Sequence, residues 1–159
     1  MTNTEGSHQV YLGLGSNLGD KEENIRKAIE LINEQIGTLV RQSAFYYSAP
    51  WGFESENRFV NAVVLIETSL SPHALLQATQ NIEHQLGKTA EHATERMLID
   101  NFQFSIFNFQ SPIYHDRPID IDILLYDDIH IDEPYLKIPH PLISERPFVT
   151  IPLHEITMT

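Results

Sequence analysis

The chain has 159 residues, enough for one domain with a sizeable core and too few for two. Its 22 acidic and 10 basic side chains give a net charge of −12, the wrong sign for a protein that grips a nucleic-acid backbone by counterion release. With no cysteine, disulfides, thiolate zinc sites and a cysteine nucleophile are all excluded. Hydrophobic residues at 42% and charged residues at 20% fit a single folded domain over 1–159. Apolar runs are too short to cross a membrane, and the first residues lack the basic and apolar regions of a signal peptide. A cytoplasmic protein with no membrane or nucleic-acid partner is expected, with residues 1–8 as a disordered leader.

In chain order, Val10 to Leu14 predicts a short strand ending in the turn-rich Gly15-Ser16-Asn17-Leu18-Gly19. Asp20 with Glu23 three residues on forms a capping box, and the helix that follows sets Ile25, Ala28, Ile29, Ile32 and Ile36 on one stripe. Gly37 is its expected stop. Leu39 to Tyr47, rich in β-formers, predicts a second strand running into the irregular Ser48-Ala49-Pro50-Trp51-Gly52-Phe53. Phe59 to Thr68 is apolar on both faces, which predicts a central strand. Ser71-Pro72 opens a second helix with Leu75, Leu76, Thr79, Ile82 and Leu86 inward and Gly87 past its end.

The fourth predicted strand, Arg117 to Tyr126, carries Asp120 and Asp122. Strand alternation puts both on one face, with Ile119, Ile121, Ile123 and Leu125 toward the core. Adjacent carboxylates repel, so a cation that neutralises both makes sense of the pair. Mg²⁺ takes one or two carboxylates and fills its octahedron with water and substrate phosphates, which makes this a candidate phosphoryl-transfer site. On the residues alone, the competing reading is a solvated edge strand whose charges discourage aggregation. Asp127-Asp128 is expected to turn the chain into a partner strand, Ile129 to Ile131, and a last short helix is expected within Ser144 to Ile156. The order is that of an α+β ferredoxin-like βαββαβ fold with an appended hairpin and C-terminal helix.

Taken together, several segments resemble one family, the 6-hydroxymethyl-7,8-dihydropterin pyrophosphokinases of folate synthesis. They are Gly13-Leu14-Gly15-Ser16-Asn17-Leu18-Gly19, Tyr47-Ser48-Ala49-Pro50-Trp51-Gly52, Phe59-Val60-Asn61-Ala62 and Gln80-Asn81-Ile82-Glu83. Arg117-Pro118-Ile119-Asp120-Ile121-Asp122, Ile138-Pro139-His140-Pro141 and Arg146-Pro147-Phe148 complete the set. Each is weak alone; their order and spacing together are specific, and Arg-x-x-Asp-x-Asp is the family's signature.

The resemblance implies transfer of the β,γ-pyrophosphoryl group of ATP to the hydroxymethyl oxygen of the dihydropterin, with release of AMP and two Mg²⁺ ions as cofactors. Asp120 and Asp122 are then the metal ligands, with Arg117 and Arg146 alongside them as catalytic residues. Gln80, Glu83, Lys88, Arg117, Ile123, His140 and Arg146 match the ATP side. Lys88 stands where the family has arginine, keeping the charge and losing the planar fork. Gly15, Ser16, Ser48, Ala49, Trp51, Phe59, Asn61, Tyr114 and Phe148 match the pterin side, with Phe59 and Phe148 stacking and Asn61 reading the ring's amide edge. Read without the resemblance, Phe59 and Phe148 are core residues and Gln80 and Glu83 a solvated helix face. Asn61 is different, because an amide in an otherwise apolar central strand needs partners.

The pattern departs from the family between Lys88 and Asp116, an extended lid loop with an insertion at about 89–113. There is no tryptophan there; Tyr114 stands three residues before Arg117 in the matching place, and Arg96 is an unaligned substitute for the lid arginine. The alternation in Asn101 to Gln110 resembles extra strands, either a β-hairpin flap or a pairing between subunits of an otherwise monomeric protein. A non-catalytic ferredoxin-like module that binds a small ligand beneath a degenerate lid is the alternative function. A different metal-dependent nucleotidyl-transfer enzyme would leave Asn61, Phe59 and Phe148 without a purpose.

Overall fold

The computed structural model describes residues 7–48, 59–87, 118–141, 143 and 146–157. In chain order the elements are β1 (His8–Ser16), α1 (Lys21–Gln35), β2 (Thr38–Gln42), β3 (Tyr46–Ser48), β4 (Phe59–Thr68), α2 (Pro72–Gln85), β5 (Asp120–Tyr126), β6 (Ile131–Glu133), β7 (Leu136–Ile138) and α3 (Pro147–Thr157). The main sheet is antiparallel with the order β2-β4-β1-β5, and β3 also pairs with β4. This is the ferredoxin-like βαββαβ arrangement, in which each helix crosses over one intervening strand.

One sheet face carries Val10, Leu12 and Leu14 of β1, Val60, Ala62, Val64 and Ile66 of β4, and Ile119, Ile121 and Ile123 at β5. Onto it pack Ile25, Ala28, Ile29 and Ile32 of α1 with Leu75 and Ile82 of α2. Each isoleucine so buried contributes about 2 kcal/mol relative to exposure. The helix starts are those expected: Asp20 accepts from Glu23 N at 3.3 Å and Ser71 Oγ from Ala74 N at 3.2 Å. The opposite face carries a smaller apolar cluster, Phe59, Val63, Leu65 and Leu124 against Phe148, Val149 and Ile156 of α3. Arg41 caps α3 by donating to Ile156 O at 2.8 Å, and Ala44 N is held by the Glu155 carboxylate.

Four local expectations change. The second strand breaks into β2 and β3, because Ser43 Oγ takes the place of a ladder carbonyl and accepts from Val63 N at 3.0 Å. Asp127-Asp128 does not fold β5 back on a partner; the hairpin is β6 with β7, from Ile131 opposite Ile138 to Glu133 opposite Leu136. In β5 the register with β1 slips between Leu12 and Tyr11, leaving Leu124 as the extra residue of a β-bulge. The alternation is thereby reset: Tyr126 joins the helix-side core in place of Leu125, which packs on the α3 side. His8, expected in the leader, opens β1 and meets Asp127 Oδ2 at 2.8 Å.

Gly37 does end α1, for a different reason than a left-handed cap. A β-carbon there would lie 2.1 Å from the Glu67 carbonyl oxygen, so the helix end and β4 meet backbone to backbone. Gly87, past α2, has φ +116, the conformation that favours glycine. Among the described residues no helix is long and apolar enough to cross a membrane. The leader residues 1–6, the loop residues 49–58, the extended lid and the expected flap lie outside the described residues.

Candidate active site

Strand pairing builds the site as a row across the α3-side face. Asp120 stands opposite Gly15, Gly15 opposite Asn61, and Asn61 opposite Tyr46. One step along, Asp122 stands opposite Gly13 and Gly13 opposite Val63. Directly opposed residues in a sheet share a face, so the two aspartates and Asn61 flank a floor of glycine about 10 Å wide, two strand spacings. The floor is tight at one point: a β-carbon on Gly15 would meet Asn61 Nδ2 at 2.7 Å.

β5 does lie at the sheet's edge, yet Asp120 is only 1% exposed and Asp122 5%, which removes the solvated-edge reading. Carboxylates hold their charge at such burial only beside compensating charge or donors. Their oxygens are hard donors, and among the described residues no group of three or more His, Asp or Glu side chains gathers as a closed cage. A two-carboxylate site that leaves the remaining positions to phosphates and water fits Mg²⁺.

Asn61 is 3% exposed; its Nδ2 donates to Leu14 O at 3.4 Å, while its buried Oδ1 accepts no hydrogen bond from the described residues. A buried amide oxygen left without a donor costs about 1–3 kcal/mol, a cost that a donor N–H at that point would remove. Phe59 and Phe148 fall in one apolar cluster on this same face, with Tyr46 packed against it. Arg146, 1% exposed, sets its guanidinium 5.7 Å from the Phe148 ring centroid. Its carbonyl accepts from Val149 N and Thr150 N, so the residue opens α3 and is fixed by it.

His140, 8% exposed, donates its backbone N–H to Leu124 O at 3.0 Å, which ties the segment after β7 to the bulge of the aspartate strand. The Ile138–Pro139 peptide just before it is cis. Gln80 is half-buried on α2, and Glu83, one turn on, is 2% exposed rather than part of a solvated face. Glu83 Oε2 accepts from Ile121 N at 2.7 Å. Ile121 therefore turns its amide to the open edge of β5, and alternation turns the backbone of Ile123 the same way while its side chain enters the helix-side core.

Ser16, fully buried, accepts from Asn24 Nδ2 at 3.3 Å, and the same amide donates to Leu18 O at 2.9 Å. Asn24 thus clasps the turn after β1, where Gly19 adopts φ +73. Sequence reasoning passed over Asn24 and Tyr46; the only signal for the first is an asparagine inside a helix, where its intrinsic propensity is poor. Tyr47 Oη donates to Glu22 at 2.9 Å, and this bond holds the Glu22 carboxyl below its ordinary range and the Tyr47 phenol above its own. Ser48 pairs with Phe59 in the ladder. Ala49, Trp51, Lys88, Arg96, Tyr114 and Arg117 lie outside the described residues.

The family model for 7,8-dihydro-6-hydroxymethylpterin-pyrophosphokinase matches residues 11–158. A 2-amino-4-hydroxy-6-hydroxymethyldihydropteridine pyrophosphokinase of Porphyromonas gingivalis is 40% identical over 148 residues, covering 92% of this chain and 89% of that one. The Bacillus subtilis protein of the same name is 37% identical, covering 92% and 77%, and that of Aquifex aeolicus 39%, covering 92% and 79%. Among solved structures, an HPPK-DHPS in complex with substrates superposes with a TM-score of 0.66 at 13% identity, over 94% of this chain and 40% of that one. Plasmodium falciparum HPPK-DHPS with pteroate gives 0.64 at 14% identity, over 93% and 40%, so this chain spans less than half of either solved chain. At such identities the likeness speaks for the fold alone. With the family model running almost the full length and relatives near 40% identity, this chain belongs to the 7,8-dihydro-6-hydroxymethylpterin-pyrophosphokinase family of enzymes.

Proposed function

We propose that this chain transfers pyrophosphate from ATP to 6-hydroxymethyl-7,8-dihydropterin in a Mg²⁺-dependent reaction of folate biosynthesis. The hydroxymethyl oxygen attacks the β-phosphorus, the bond from that phosphorus to the oxygen shared with the α-phosphate breaks, AMP leaves with that oxygen, and the hydroxyl proton passes to solvent. The observation that carries this reading is the row itself: an amide oxygen without a donor on one side of a glycine floor and two buried carboxylates on the other. An acceptor at Asn61 suits the N–H-rich edge of a pterin, with Phe59 and Phe148 supplying apolar surface for its flat ring; Gly15, Ser16, Ser48, Ala49, Trp51 and Tyr114 are assigned to the pterin side on the family resemblance.

Asp120 and Asp122 would hold Mg²⁺, whose chemistry when bound is to neutralise and align the phosphates; two ions are expected. On the family resemblance Arg117, Arg146, Lys88 and His140 are assigned to the triphosphate, and Gln80, Glu83 and Ile123 to the nucleotide. A monomer in the cytoplasm is the expected working form.

The test is incubation with ATP, Mg²⁺ and the dihydropterin, followed by mass spectrometry for AMP and the pterin pyrophosphate. Both products are expected, and neither without Mg²⁺. Well-folded protein that binds the pterin and forms neither product would mark the chain as a binding module.

A further inference from the structure

Glu83 is in an expensive place. It sits in the last turn of α2, where a carboxylate faces the negative end of the helix dipole, and it is 2% exposed, where a polar group needs a hydrogen-bond partner. Neither local propensity nor core packing explains a glutamate there. What the position provides is reach to the edge of β5, where Oε2 accepts from the amide of Ile121 at 2.7 Å, a short charge-assisted bond. Ile121 is the residue between Asp120 and Asp122, and its side chain lies in the helix-side core; the peptide that donates this N–H joins Asp120 to Ile121, and Asp122 follows on the next one. On the other ladder, β1 holds the strand through Gly13 and Gly15, which have no side chains to brace the aspartates. Among the described residues the open side is held by this bond at Ile121 and, beyond the aspartates, by the His140 amide on Leu124 O.

We propose that Glu83 is a positioning residue: by anchoring the Ile121 amide it fixes the spacing and direction of the Asp120 and Asp122 carboxylates, and so the affinity of that pair for a divalent cation. The inference rests on the metal-ligand reading of the two aspartates.

Two conservative substitutions oppose reach to charge. Glu83→Gln keeps the reach and an acceptor oxygen while losing the charge; Glu83→Asp keeps the charge while drawing it back by about 1.5 Å, one carbon–carbon bond. The measurement is Mn²⁺ affinity by electron paramagnetic resonance in the presence of α,β-methylene-ATP, without pterin, on the full chain. The expected result is affinity within about threefold of wild type for Glu83→Gln and about tenfold weaker for Glu83→Asp, in the range for groups that orient metal ligands. The reverse order would overturn the proposal in favour of a direct charge contact. Equal affinity in all three proteins, with only the melting temperature altered, would overturn it in favour of an edge cap with no bearing on the metal. Asp122→Asn is the control: unchanged Mn²⁺ affinity there would remove the metal site and the inference with it.

Discussion

The Asn61 amide occupies the space that a side chain at residue 15 would need, since a β-carbon on Gly15 would lie 2.7 Å from Asn61 Nδ2. Gly15→Ala is therefore expected to swing the amide, break its 3.4 Å bond to Leu14 O and redirect the acceptor Oδ1. The obstructing atom is the end of a side chain rather than backbone, so the fold should survive at a cost of about 1 kcal/mol. Affinity for the pterin should fall about tenfold, or ~1.4 kcal/mol, with ATP affinity little changed. Calorimetric titration with each ligand separately checks this, and equal weakening of both would place Asn61 outside the pterin slot.

Asp120→Asn and Asp122→Asn each remove one buried negative charge from an adjacent pair at almost constant volume. Turnover should drop at least about a hundredfold at saturating Mg²⁺, because several kcal/mol of charge stabilisation depends on the cation. The melting temperature should stay the same or rise, since repulsion between the carboxylates is relieved. Variants that melt earlier yet turn over normally would assign the aspartates to the core instead.

Gly37→Ala tests the backbone contact between the end of α1 and β4. The added carbon would meet Glu67 O at 2.1 Å and Thr68 Cβ at 2.9 Å, in a strand bonded on both sides. Neither partner has room to yield, so about 3 kcal/mol of stability should be lost. Urea unfolding gives the value, and a loss under about 0.5 kcal/mol would mean the helix end is free to shift.

Tyr126 donates to Leu70 O at 2.6 Å, and burial pushes its phenol above the ordinary value of 10.0, with Asp127 adding to the effect. The fold thus favours the neutral phenol. That contribution is complete below the unfolded value of 10.0 and is lost as pH climbs through the raised folded value. Tyr126→Phe should cost about 1–2 kcal/mol at pH 8 by leaving Leu70 O without its donor. The gap between wild type and variant should narrow above pH 10, and a gap independent of pH up to 11 would contradict the assignment.

The periodic elements were legible because their signals are local. The Ile25–Ile36 stripe, the Asp20 and Ser71 caps and the two-faced apolar run of β4 all appear as expected. What was not legible depends on partners far away in the chain. The bulge at Leu124 is set by pairing with β1, and it reversed the expected sides of Leu125 and Tyr126. The break at Ser43 needs Val63 opposite it, and the burial of Glu83 needs Ile121, 38 residues away. Within the site, the aspartate pair and the solitary amide of Asn61 stand out by residue type alone. The glycine floor between them emerges only once the strand order is known, as does Tyr46 at the row's far end.

The bond from Glu83 to Ile121 also bears on self-association. A sheet margin with spare amides is a template on which a second chain can add a strand. On β5 that margin is interrupted twice, at Ile121 by a carboxylate and at Leu124 by the amide of His140. At the other margin, β2 is short and irregular, with its register shifted between Leu39 and Arg41 and Val40 exposed in between. Among the described residues both borders of the sheet are thus poor seeds for intermolecular β-pairing.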